Sequence, residues 1–542
     1  MDPHAGRTQW LTRAEWAVCV AATLAAVWLH VVFLTHAGAL WRDEVNGLHL
    51  ATLFSPGQMW RMLRYDSFPA LFPAVVRCWT ACGLGGSDLG LRLLGFGVGL
   101  SILGLVWLNA RVLGSRLPLV SLGLLAANAT LLRAGDWLRG YGLGCVFILL
   151  SLPLIWSLMK APGLKRFGAA ALAAVLSVQC LYQNGFLLFT ICLAGCFVCF
   201  RCDQNKAALM VLGVGAVAAV SLLPYAGVLT LSQRWRMVQQ TGVNASAAWS
   251  SLAGALGDPM AWQAVPWIAL SLVVAVRGVV GMGASERRKR VGAEDLPLFA
   301  GIVIALGGMV FVICILMARL GTQPWYWLPP MVVTAVCIDA ALGDWLDRCR
   351  GWRLALVVLM VFVPLGASVK LAKYRQTSID LIAARLREQA KPDDLVLVVP
   401  WYFGVTFNHY YHGAAPWITL PAMSDLRIHR YDLLKEKLTA TAPIKPVLDR
   451  IAQTLAAGNR LWIVGTLPAP APDETGPPDL PPAPEGPQGW FDVPYSQVWG
   501  RQADYFIAAH GGPAEEIPLG LGDAVNPYEN ALLGVVGAGG LR

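Results

Sequence analysis

Residues 16–36 read WAVCVAATLAAVWLHVVFLTH, and three residues later the chain presents Leu40-Trp41-Arg42-Asp43-Glu44. The first stretch is long enough to cross a bilayer. The second sets a cation, two carboxylates and an indole together where that crossing ends. Carboxylates kept beside hydrocarbon are costly and are retained for chemistry or ion handling. The same pair also suits a helix start, since Asp favours N-caps and Glu the first turn.

Working outward, 56% of the 542 residues are hydrophobic and only 14% charged, with a mean hydropathy of +0.55. That composition belongs to a polytopic membrane protein. The 22 Trp suit bilayer interfaces. No cleavable signal peptide is expected, because the first apolar segment is too long and no small-residue cleavage site follows it. The net charge of +9 is spread over short loops, which indicates topology and excludes a nucleic-acid partner. All 12 Cys lie at or before Cys349 without metal-type pairing, and the C-terminal region has none. No phosphate-binding Gly-rich loop, Ser-His-Asp arrangement or zinc spacing occurs.

Apolar segments occur at 16–36, 91–111, 117–132, 140–159, 167–183, 185–200, 207–231, 262–280, 297–319, 328–346 and 353–371. Lys and Arg concentrate in alternate connections: Arg7 and Arg13, Arg111 and Arg116, Lys160 to Arg166, Arg201 to Lys206, Arg287 to Arg290, and Arg348 to Arg353. With eleven spans these all fall on the cytoplasmic side, leaving the C-terminus outside. The expected setting is a bacterial inner membrane. On the outer side stand Arg42, Arg61, Arg64, Arg77, Arg133, Arg139, Arg234, Arg236 and Arg319. Retained against the insertion bias, they are candidates to bind an anion; headgroup contact or snorkelling is the plainer alternative.

The expected organisation is a membrane module over 1–371, whose outer loop 37–90 carries interfacial helices, followed by a soluble extracytoplasmic α/β domain over 372–542. Within the latter, Leu395–Val399 and Leu461–Val464 read as buried strands, and Lys445–Ala457 and Ser496–Ala509 as helices. Pro468–Pro487 is a proline-rich connection. Trp401-Tyr402-Phe403 and His409-Tyr410-Tyr411-His412 follow the first strand, where open sheets bind ligands; packed aromatics and hydrogen-bonded histidines are the alternative. No internal repeat of the kind that builds transporters from inverted halves is evident.

Three further elements complete the pattern: Tyr65-Asp66-Ser67-Phe68-Pro69-Ala70-Leu71, the Arg133 to Tyr141 stretch RAGDWLRGY, and Gln323-Pro324-Trp325-Tyr326-Trp327-Leu328-Pro329. With the early acidic pair, their order and placement resemble the GT-C glycosyltransferases, closest to the protein O-mannosyltransferase and aminoarabinose-transferase group (glycosyltransferase family 39 type). The resemblance covers roughly residues 10–345; the soluble domain matches in position only. It implies an inverting transfer of a sugar from a polyprenyl-phosphate donor to a lipid, glycan or protein acceptor.

In that group Asp43 corresponds to the catalytic base, with Glu44 orienting Arg42 or assisting a metal. One carboxylate suffices, because a phosphate leaving group needs no general acid. Arg139 and Tyr141 match the group's Arg-x-Tyr element. With Arg133, Arg92, Arg319 and a helix N-terminus, they form the expected donor-phosphate site. Arg42, Trp325, Tyr326 and Trp327 would contact substrate. Relatives carry His-Pro-Pro-Leu or Glu-Lys-Pro near Pro69. Here Phe68 replaces the His, whereas Asp66 with Asp43 is an oxygen-ligand pair for a divalent metal (Mg, Mn or Zn); an ordinary turn accounts for it equally. The competing readings are a transporter or flippase, with charges buried at mid-span, a ligase for lipid-linked glycans, or an inactive structural subunit.

Overall fold

Apolar length gives most of the chain its form. The computed structural model describes residues 3–236, 244–284, 289–318, 322–468, 476–484 and 490–538. Among these, nine helices are long and apolar enough to span a membrane: Gln9–His36, Asp88–Leu113, Gly140–Lys160, Asn184–Arg201, Asn205–Leu231, Ala261–Met282, Ala293–Met317, Pro324–Gly343 and Asp347–Ala372. The chain is a multi-pass membrane protein. Arg319 and the Arg287–Arg288 part of the fifth basic loop lie outside the described residues.

Two expected spans take another form. Residues 117–132 are not one helix but two short ones, Leu119–Leu125 and Ala129–Asp136. At 7 and 8 residues, each is only about 10–12 Å long. The break has a cause in the sequence: Asn128 accepts the Leu131 N–H and so caps a new helix. The backbone freed there is satisfied by neighbours, as membrane depth requires. Ser368 donates its hydroxyl to the Ala127 carbonyl at 2.6 Å, and the Asn128 amide donates to the Ala255 carbonyl at 2.9 Å. The fifth segment is the helix Leu164–Cys180 of 17 residues, at the short limit for a crossing.

The chain divides into two compact units: Met1–Thr35, Phe68–Ala226 and Val243–Lys373 form one, and His36–Ser67, Gly227–Gly242 and Tyr374–Arg542 the other. The loop 37–90 is thus split at Ser67. In the membrane unit, buried acids have named partners. Glu15 forms ion pairs with Arg350 and Arg353, so these two arginines also hold the helices together. Asp339 accepts the Ser121 hydroxyl at 2.9 Å. Close approach fixes the helix Ala129–Asp136: a Cβ added to Gly99 would lie 2.0 Å from Asp136 Oδ1, and that carboxylate also holds His30 Nδ1 at 2.8 Å.

The second unit is an α/β layer structure. Five strands, β1 (Leu395–Val399), β2 (Trp417–Thr419), β3 (Leu461–Gly465), β4 (Gly511–Glu516) and β5 (Leu533–Ala538), run in the order β2-β1-β3-β5-β4. β1 is parallel to β2 and β3, while β5 is antiparallel to β3 and β4. The unbroken apolar runs of β1 and β3 reflect burial on both faces. Leu395, Leu397, Leu461 and Ile463 meet the helices Tyr431–Thr439, Lys445–Ala456 and Asp492–His510. Val396, Val398, Trp462 and Val464 meet Ile379–Gln389 and Phe403–Tyr410. The expected strands and both expected helices are present, the second starting earlier, at Asp492.

Gly99→Ala should destabilise the membrane unit by about 1–3 kcal/mol, because the methyl meets the paired Asp136 and His30 side chains and forces them to shift. A lower unfolding temperature of the detergent-purified protein checks this.

Candidate active site

Helix Arg42–Ala51 begins where Trp41 is extended and Glu44 reaches back to accept the Trp41 N–H at 3.3 Å. Glu44 is fully buried in this duty. Asp43 lies in the same first turn, where the helix dipole favours a carboxylate, but its side chain is 28% exposed. Of the two adjacent acids, Asp43 is the one open to a reactant. Its Oδ1 lies 3.9 Å from Arg42 Nε.

Arg42 is held at both ends. Its guanidinium lies 4.4 Å over the Tyr402 ring and donates to the Tyr528 carbonyl at 2.6 Å. Its peptide N–H donates to Glu529 Oε2 at 2.9 Å. Just before it, the Leu40 N–H donates to the Tyr410 hydroxyl at 2.8 Å. Tyr402 and Tyr410 belong to the aromatic stretches after β1, so part of that stretch serves this site. Trp401, Phe403, Phe407 and Tyr411 pack in the core instead.

Glu529 was not legible as a site residue. It is a single acid in an Asn-Pro-Tyr-Glu-Asn turn, distant from every motif. It is fully buried, and its Oε1 accepts the Thr406 hydroxyl at 2.6 Å. Burial, reinforced by the Asp43 charge and opposed by Arg42, pushes its carboxyl up to about 8. Farther along the helix, Asn46 accepts the His429 N–H at 2.8 Å. His49 Nδ1 faces the Arg427 carbonyl at 2.6 Å, which requires a proton on that nitrogen; its Nε2 therefore accepts from His409 Nδ1 at 3.0 Å. Burial and the neighbouring imidazoles pull His409 down to about 4.

Asp66 accepts the adjacent Ser67 N–H at 2.7 Å, the turn arrangement. Among the described residues, no three His, Cys, Asp or Glu side chains form a group able to hold a metal ion.

In the membrane unit, Arg139 is the residue preceding the helix Gly140–Lys160 and is 8% exposed. Its guanidinium lies 4.4 Å over the Phe68 ring, a cation–π contact. Phe68 meets Tyr141 edge-on at 4.9 Å, and Tyr141 lies 6.0 Å from Tyr326. Trp325 stands against Trp137 at 5.2 Å. Arg139, Tyr141, Trp325 and Tyr326 thus join one aromatic and cationic cluster, and Phe68 fills the expected His position as the platform under Arg139.

The other expected substrate and donor residues of this unit have partners of their own. Trp327 is buried and donates to the Ser251 hydroxyl at 3.1 Å. Arg92 is buried, 6.0 Å over Phe33. Arg133 interacts with Asp258, whose carboxylate accepts the Thr130 hydroxyl at 2.6 Å.

No protein-family model matches the chain, and no curated protein matches it. Among solved structures, it is similar to the Archaeoglobus fulgidus oligosaccharyltransferase in complex with Zn and sulfate. There the identity is 13% over 74% of this chain and 62% of that one, with a TM-score of 0.44; this chain therefore spans less than two thirds of that protein. The same oligosaccharyltransferase, tethered by a disulfide to an acceptor peptide containing the NVT sequon, gives 12% identity over 95% and 74% of the two chains, with a TM-score of 0.45. ArnT from Cupriavidus metallidurans bound to undecaprenyl phosphate gives 13% identity over 82% and 92%, with a TM-score of 0.33. At these TM-scores the likenesses are weak, and the functional reading rests on the residues themselves.

Two buried groups should shape stability against pH in opposite directions. Glu529, raised from 4.5 to about 8, contributes stability that is complete below its unfolded value and lost as pH rises toward 8. His409, lowered from 6.5 to about 4, contributes stability that is complete above 6.5 and lost as pH falls toward 4. Thermal unfolding across this range should show Glu529→Gln removing the alkaline slope and His409→Gln the acid one.

Proposed function

We propose that this chain is a membrane glycosyltransferase that moves a sugar from a polyprenyl-phosphate donor to a lipid, glycan or protein acceptor, with inversion at the anomeric carbon. The observation that carries this reading is the division of labour at the start of helix Arg42–Ala51. Glu44 is buried as the helix's own cap, whereas Asp43 is left part-exposed on a backbone clamped from both sides. A carboxylate so presented is suited to take a proton from a nucleophile.

In the reaction, the acceptor hydroxyl or amine loses its proton to Asp43 as it attacks the anomeric carbon. The bond from that carbon to the phosphate oxygen breaks on the opposite side, and the prenyl phosphate departs with the electron pair. The leaving group is a weak base and needs no proton. Arg139, standing before a helix N-terminus, supplies a fork of N–H donors and a favourable dipole to the phosphate. Trp325 and Tyr326 offer ring faces to the sugar or the prenyl chain. The site is assigned to the outer face of a bacterial cytoplasmic membrane, with the N-terminus cytoplasmic and the soluble domain outside.

Native mass spectrometry of the detergent-purified protein should find a co-purifying prenyl-phosphate species; a bound nucleotide sugar would overturn the donor assignment. Asp43→Asn should cut transfer about 100- to 10,000-fold while leaving donor binding intact. Transfer at near the unaltered rate would remove Asp43 from the mechanism. Arg139→Lys should weaken donor binding, because an ammonium cannot reproduce the planar fork. For orientation, the exposed Cys82 and Cys349 serve as reporters in single-cysteine proteins. An impermeant maleimide added outside intact cells should label Cys82 and spare Cys349, and the reverse pattern would invert the topology.

A further inference from the structure

Among the buried acids of the second unit that the transfer step does not use, Glu529 is bonded to the start of the helix that carries Asp43. Residues 528 and 529 grip Arg42 twice: the Tyr528 carbonyl accepts from the guanidinium, and the Glu529 carboxyl accepts from the peptide N–H. The grip is itself braced. The Glu529 N–H donates to the Asn526 carbonyl at 2.9 Å, and its own carbonyl accepts the Ser378 N–H at 3.4 Å. Its second carboxyl oxygen meets Thr406. Asp43 is the next residue along the chain from the gripped peptide.

We propose that Glu529 is a positioning residue, whose carboxyl clamps the Arg42 peptide and thereby orients the Asp43 carboxylate toward the acceptor. This rests on the reading of Asp43 as the base. The groups facing Glu529 are Arg42 and Asp43 from the helix start, the Thr406 hydroxyl from helix Phe403–Tyr410, the Ser378 N–H before helix Ile379–Gln389, and the Tyr402 ring. Only Arg42 among them is cationic, and Asp43 already draws on it. A second negative charge at Glu529 would compete for that guanidinium. With its carboxyl pushed up to about 8, Glu529 holds a proton at neutral pH. One oxygen then still accepts the Arg42 N–H, while the Thr406 hydroxyl, which donates to the ionised carboxylate, turns to accept the acid's O–H. The clamp thus works without adding charge beside the base.

The test uses the full-length protein in membranes. Radiolabelled undecaprenyl-phosphate hexoses and pentoses are offered singly, and the one turned over by the unaltered chain serves as donor. Glu529→Ala should lower kcat about 10- to 100-fold, the cost of a misplaced catalytic group, with the donor KM little changed. Glu529→Gln should recover most of that loss, because its amide oxygen can face the Arg42 N–H and its NH₂ the Thr406 oxygen. The unaltered enzyme should lose kcat above about pH 8, and Glu529→Gln should lack that decline.

An unchanged kcat in Glu529→Ala, or an alkaline decline that persists in Glu529→Gln, would overturn the proposal. If Glu529→Ala does not fold, Thr406→Val takes its place: a kcat loss supports the clamp and an unchanged kcat counts against it. Asp43→Asn in the same assay separates the two levels. Its inactivity beside unaffected Glu529 variants sinks only this inference, whereas its activity, or failure of the unaltered chain to use any donor, sinks the glycosyl-transfer reading as well.

Discussion

Three stretches of backbone meet in the second unit, and the environment of Asp43 depends on their meeting. The Gln376 N–H donates to the Ala37 carbonyl at 2.8 Å, and residue 375 exchanges hydrogen bonds with Ala524 and Asn526 at 2.9 and 2.8 Å. The chain leaving the first span, the chain leaving the last, and the C-terminal turn are thereby tied in register. Gly38, at φ +64 with no room for a Cβ beside Arg375, lets the first of these turn into place. Only on that base can Glu529 and Tyr528 reach Arg42.

The electrostatics follow from the same junction. A carboxylate intended as a base must stay ionised yet reachable, and a lone charge near hydrocarbon achieves neither easily. Here Asp43 stands in the first turn of a helix, 3.9 Å from Arg42 and partly exposed. Glu529, buried nearby, has its carboxyl pushed up to about 8. Neighbouring carboxyls held in different environments can take different roles.

What the sequence revealed, and what it hid, divides along a physical line. Long apolar runs and the two buried strands announced themselves through composition and periodicity, and the acidic pair drew notice by its place after the first span. The break at Asn128 was harder to see, because 117–132 remains apolar and only one capping side chain interrupts it. The turn at Asp66, where one carboxylate oxygen accepts the Ser67 N–H, is the plain reading that the sequence also allowed. Glu529 and Thr406 had no local signal, since their significance lies wholly in a pairing across the chain. Phe68 looked like a missing histidine and gained a reason only when the ring was found beneath Arg139.

The bond between Arg42 and Glu529 joins residues 487 positions apart. In a growing polypeptide, the first partner has emerged long before the second is made. Segment 36–67 therefore spends most of synthesis without the domain it belongs to, and closing so long a loop is slow. The strands it depends on, β3 and β5, also complete their pairing only near the end of the chain. Assembly of the carboxylate's surroundings is thus among the last events in maturation, and a chain that stalls or is clipped near residue 529 would be inserted yet chemically unfinished.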